Sequence, residues 1–159
     1  MVKMSYTQSP HLTEKEIDDF LNSAKIARIC THNKDGTIHA VPVWYNYING
    51  EVIIGTPKAS HRARNLKRNN NVTVLIDEFG SSTRGIIIYG KASMDDKDMD
   101  QAAVSIFSRY MGQETARGYW KGLSELTEWT KVIVKPIHIA SFDYSKDTKY
   151  LEATKKYIP

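Results

Sequence analysis

The hydrophobic pattern changes period along the chain, and each change marks an element. In "HLTEKEIDDFLNSAK" (11–25), Ile17, Phe20, Leu21 and Ala24 recur at helical spacing. Thr13 stands as N-cap, and Glu16 three residues on completes a capping box, so a helix is predicted from there. "IARICTH" then reads as a strand and "NKDG" (33–36) as a hairpin turn. "TIHAVPVWYNYI" is one long strand candidate, interrupted by Pro42. Asn49-Gly50 signals a second hairpin, leading into the strand "EVIIGT". A short helix is predicted from Ser60, followed by the strands "NVTVLIDE" and "GIIIYGKASM". "DDKDMDQAAVSIFSRYMG" is helical, with Ala103, Ile106, Phe107 and Tyr110 on one face. "QETARGYWKGLSELTEW" reads as another helix, although Gly118 and Gly122 weaken its pattern. "TKVIVKPIHIASFD" is the last strand, with Pro136 marking an edge or a bulge, and "KDTKYLEATKKYI" a closing helix. Short turns between these strands predict an antiparallel sheet closing into a barrel with flanking helices, a β-rich α+β protein.

Composition sets few further limits. The 159 residues suit one domain, and 41% hydrophobic content with 25% charged is an ordinary globular balance. The single Cys30 rules out an internal disulfide and points to a reducing compartment. No apolar leader opens the sequence and no run is long enough to span a membrane, so the expectation is a cytoplasmic, soluble protein without a membrane partner.

Charge is more informative. The net charge is +4, and "GTPKASHRARNLKRNNN" (55–71) alone carries Lys58, Arg62, Arg64, Lys67 and Arg68 with no carboxylate. Without those five cations the chain would carry one net negative charge. One basic segment is too small a footprint to suggest nucleic acid. The segment opens a helix at Ser60 and places His61 and Arg62 at its positive end, where cations are unfavourable. An anion at that spot would relieve the conflict, because a helix start also offers free N–H groups. Arg62 would supply a donor fork and Thr56, Lys58 and Ser60 further contacts. The alternative is a solvated basic face, with Ala59, Ala63 and Leu66 as the buried stripe.

"HAVPVWYNY" is the second informative segment. Pro42 cannot donate to a sheet ladder, so its surroundings would keep unpaired backbone groups beside the flat surfaces of Trp44 and Tyr45. That suits a planar heterocycle; equally it suits an edge strand with core aromatics.

Taken in order, "ARICTHNKDGTIHAVPVWYNY", "GEVIIGTPKASHRARNLKRNNNVTVLID" and "GIIIYGKASM" resemble the flavin-binding split-barrel family related to pyridoxamine 5′-phosphate oxidase. The resemblance spans residues 24–94 and extends into the last strand. It implies a six-stranded antiparallel split barrel, a homodimer, and flavin mononucleotide (FMN) held at the subunit interface. By family position, His39, Val41, Pro42, Val43 and Trp44 would run along the isoalloxazine ring. Thr56, Lys58, Ser60, His61 and Arg62 would hold the phosphate, and the second subunit would contribute near Arg84–Ile86 and Trp129. In the oxidase proper a basic pair follows the serine; here His61 takes the first place, a weaker ligand when neutral. The oxidase proper also closes on an Arg- and His-bearing segment that grips its substrate. This chain closes on "SFDYSKDTKYLEATKKYIP" instead, which argues against pyridoxamine phosphate as substrate.

The remaining motifs carry less. His11, His32, His39, His61 and His138 lack zinc-ligand spacing, so no metal is expected. Cys30 reads as a buried thiol, and Trp120 and Trp129 either bury a helix or line a pocket. The leading expectation is an FMN-dependent oxidoreductase acting on a small molecule. The alternatives are the same fold with an 8-hydroxy-5-deazaflavin coenzyme, or a non-catalytic flavin or haem carrier.

Overall fold

The computed structural model describes residues 9–23, 26–80 and 83–157. The capping box forms: the Thr13 amide donates to Glu16 Oε2 at 2.7 Å and the Glu16 amide to Thr13 Oγ1 at 3.3 Å. It starts α1 (Glu14–Ser23), which buries Phe20 and Leu21. Ala24, the last apolar position expected on this helix, lies outside the described residues.

Four strands follow: β1 (Ala27–His32), β2 (Ile38–Val43), β3 (Asn46–Ile48) and β4 (Glu51–Pro57). The β3–β4 hairpin turns on Asn49 and Gly50, both at positive φ, as the Asn-Gly pair requires. The basic helix is α2 (His61–Arg68), and β5 (Asn71–Phe79) and β6 (Thr83–Asp95) come next. Then α3 (Met99–Met111) and α4 (Gln113–Leu126) lead to the long β7 (Trp129–Asp143) and to α5 (Thr148–Thr154). Gly118 and Gly122 do not interrupt α4, and the space beside each is open. Among the described residues, no helix is long and apolar enough to cross a membrane.

The strands form one antiparallel sheet in the order β2-β1-β5-β6-β7-β4-β3. Its two ends, β2 and β3, are joined by only Trp44 and Tyr45, a span of about 10 Å at most. The sheet is therefore curled round on itself, the β-rich α+β architecture expected. The long strand expected over 37–48 is divided, giving seven strands where six were expected. The division has a cause. The Tyr45 amide donates to the Tyr110 hydroxyl (3.1 Å), and the Tyr45 carbonyl accepts from Arg109 (2.8 Å). These α3 side chains take both backbone groups of Tyr45 out of any ladder.

The core fills the curl. Ile29, Val74, Ile76, Ile86, Ile88, Val132 and Val134 are fully buried, together with Leu21, Tyr45 and Ile54. A second cluster under α3 and α4 gathers Ile53, Ala103, Ile106, Phe107, Ala116 and Trp120. Trp120 is buried and donates to Asp100 (2.7 Å); Trp129 is half-buried against it, edge to face. In β7 the irregularity expected at Pro136 is a bulge: Pro136 pairs with Gly90, His138 with Tyr89, and Ile137 has no partner. Gly90 permits this, since a Cβ there would meet the Lys135 carbonyl oxygen at 2.5 Å.

Candidate functional site

The site forms where β2, the end of β4 and the start of α2 meet. Ser60 caps α2 by accepting from the Ala63 amide at 3.1 Å. The cap sets the helix direction and leaves its earliest N–H groups facing out. Arg62, on the first turn, is half-buried. Its Nε donates to the hydroxyl of the fully buried Thr56 at 3.1 Å. Burial pulls the guanidinium below its usual pKa. Among the described residues it has no carboxylate partner. Held by Thr56, partly desolvated and without a carboxylate partner among the described residues, the guanidinium has terminal donors suited to pairing with an anion.

His61 is oriented by a chain of hydrogen bonds that ends on a carboxylate. Asp35 accepts from the Thr37 hydroxyl (2.6 Å), so Thr37 Oγ1 accepts from Asn33 Nδ2 (3.0 Å). Asn33 Oδ1 is then the acceptor end of that amide, and both Asn65 Nδ2 and His61 Nε2 reach it at 2.8 Å. His61 thus carries its proton on Nε2, and a phosphate at Nδ1 needs the doubly protonated ring. The same Thr37 contacts hold the Asp35 carboxyl below its usual range. His39 on β2 lies against His61, ring centroids 4.8 Å apart. Its pKa is lowered by desolvation, then by His61 and Arg62.

The structure therefore brings His39, Thr56, Ser60, His61 and Arg62 together. The other candidates make further contacts of their own. Lys58 bridges Asp96 (2.6 Å) and approaches Glu128 (3.8 Å), and the Asp96 contact first of all raises its pKa. Val41 and Val43 pack partly into the main core, while Pro42 is exposed on the edge strand, opposite Arg28 of β1. Trp44 stacks on Tyr110 (4.6 Å, 12° between planes), meets Phe107 edge-on and lies 6.0 Å from the Tyr119 ring, so its aromatic partners come from α3 and α4. Asn65 and Thr31 were not anticipated. Both are buried, and Asn65 Nδ2 also reaches Thr31 Oγ1 (3.1 Å), locking α2 to β1. The signal was an asparagine inside a short helix, four residues after His61. Cys30 is half-buried, and desolvation raises its thiol pKa. Among the described residues, no group of His, Cys, Asp or Glu is placed to hold a metal ion.

Comparison with known proteins bears on the family and the fold. Residues 13–132 match the family described as pyridoxamine 5′-phosphate oxidase. No curated protein matches the sequence. A conserved hypothetical protein of Mycobacterium tuberculosis is 26% identical with a TM-score of 0.76, over 88% of this chain and 92% of its own. The haem storage protein HutZ of Vibrio cholerae is 19% identical (TM-score 0.64, 79% and 92% covered). An FAD-binding protein of Mesorhizobium loti is 15% identical (TM-score 0.61, 84% and 96% covered). The last two likenesses establish a shared fold.

Proposed function

The chain belongs to the pyridoxamine 5′-phosphate oxidase family, and from that premise we propose that it is an FMN-binding oxidoreductase acting on a small molecule. One observation carries the proposal: Arg62 is half-buried on Thr56 at the Ser60-capped start of α2, with no carboxylate beside it among the described residues. That donor set fits a phosphate monoester. With Nε committed to Thr56, the two terminal guanidinium nitrogens are left for a bidentate contact. The first amides of α2 add N–H donors, and His61 adds one when protonated at Nδ1.

When bound, FMN supplies the hydride or electron transfer; the protein supplies binding, orientation and electrostatics. Among the described residues β2 pairs only with β1, so its outer edge would offer backbone groups to the rim of a planar ring. Pro42 removes one donor from that edge. Trp44 is committed to Tyr110, so ring recognition falls to the strand edge. A second copy of the chain would cover the outer sheet face. There Leu75, Ile87 and Ala140 lie in one row, and Thr73, Tyr89 and His138 in the next, beside the exposed Ile137.

Relatives of this fold are named for FAD and for haem, so both compete with FMN in the test. Apo protein is titrated with FMN, FAD, haem and an 8-hydroxy-5-deazaflavin coenzyme, and its mass is followed by sedimentation. The expected result is saturable FMN binding by a dimer. Preference for haem or the deazaflavin refutes the FMN reading, and full affinity in a monomer refutes the shared interface.

A further inference from the structure

Lys15, Arg28, Lys58, Arg84, Lys131 and Lys146 each sit in an ion pair. Among the described residues no ion pair reaches Lys34, in the β1–β2 turn, or Arg64 and Arg68 of α2. These three line one cleft of about 310 Å³ between that turn and α2, floored by the Asn33–Asn65 amide pair. That volume is at the lower end of ligand sites. Its one carboxylate, Asp35, already accepts from the Thr37 amide and hydroxyl.

The two arginines are fixed rather than trailing in solvent. Arg68 Nη2 donates to the His32 carbonyl and to Asn65 Oδ1, both at 2.7 Å. Arg64 Nη1 donates to the Ala59 carbonyl at 2.6 Å. Arg64 and Arg68 are four residues apart on one helix face, a like-charge spacing that is unfavourable with nothing between them. His61 lines this cleft and also touches His39, so the cleft begins where the Arg62 cup ends.

We propose that the cleft is a second anion subsite, taking a phosphate- or carboxylate-bearing group beyond the phosphate held by Arg62. The proposal rests on the flavin reading only for what occupies the cup. The group has two possible sources with one chemistry: the diphosphate end of a dinucleotide flavin, or a separate anionic reactant.

Wild type and a Lys34→Gln/Arg64→Gln variant are titrated with FMN and FAD, and then with pyrophosphate after saturation with FMN. FMN affinity should be equal in the two proteins. If the group is tethered, FAD binds wild type about tenfold tighter than FMN and the variant loses that margin. If it is separate, pyrophosphate binds the FMN-loaded wild type and the variant weakens it about tenfold. The proposal is overturned if wild type shows neither behaviour, or if the variant weakens every ligand by one factor. Failure of FMN to bind wild type would instead refute the cofactor reading. The cleft is then read from pyrophosphate binding to Arg62→Ala protein with and without the double substitution, where no difference overturns it.

Discussion

Replacing Arg62 with alanine separates an anion receptor from a structural arginine. The Nε bond to Thr56 leaves the terminal nitrogens for phosphate, and a hydrogen bond to a charged group contributes about 1.5–3 kcal/mol. At 1.4 kcal/mol per decade, losing one such contact weakens FMN by roughly 10- to 100-fold. The apo protein should respond quite differently. Burial already works against this guanidinium's charge, and no carboxylate is orphaned by its removal. Lost alkyl packing and relieved desolvation offset one another, leaving apo stability within about 1 kcal/mol of wild type. Flavin fluorescence titration reads the affinity, and thermal unfolding with and without FMN reads stability. With ligand at a hundredfold excess over the wild-type Kd, FMN adds about 2.7 kcal/mol to wild type. It adds only about 0.4 kcal/mol to a variant weakened a hundredfold. Arg62→Lys keeps the charge without the fork and should fall between. Unchanged FMN affinity in Arg62→Ala refutes the reasoning, and so does a large apo destabilisation, because either makes Arg62 a scaffold residue.

Two further perturbations test the frame around the site. Gly90→Ala puts a Cβ against the Lys135 carbonyl at the β6–β7 bulge and should cost about 1–3 kcal/mol in chemical unfolding; a neutral result would mean the bulge yields freely. The Glu16 carboxyl is held down to about 2, first by Lys146 and then by Thr13. Its folded pKa lies below the unfolded value, so its stabilisation is present above that unfolded value and is lost as pH falls toward about 2. Glu16→Gln should flatten the acid limb of the stability profile over that window; parallel limbs for the two proteins would contradict the assignment.

What could be read from the sequence was local. The Thr13–Glu16 box, the Asn49-Gly50 turn and the Ser60 cap are each specified within four residues, and all three form. The closeness of Thr56 and Arg62 is also legible, because a strand–turn–helix order places them together, whereas His39 enters only through the family resemblance. Features set by distant residues were not legible. Tyr45 leaves the ladder because Arg109 and Tyr110, more than sixty residues away, take its backbone groups. Lys58 pairs with Asp96 and Glu128, which only the sheet brings near. Asn33 and Asn65 looked like ordinary turn and helix residues, yet together they decide which nitrogen of His61 carries the proton.

In the proposed function the start of α2 holds the phosphate of a flavin. The most direct measurement is the absorption spectrum of freshly purified protein, followed by release and mass identification of the bound chromophore. The expected result is an oxidised-flavin spectrum, or its appearance on adding FMN, and its loss in Arg62→Ala. Protein that stays colourless with FMN, or that releases haem, would contradict it.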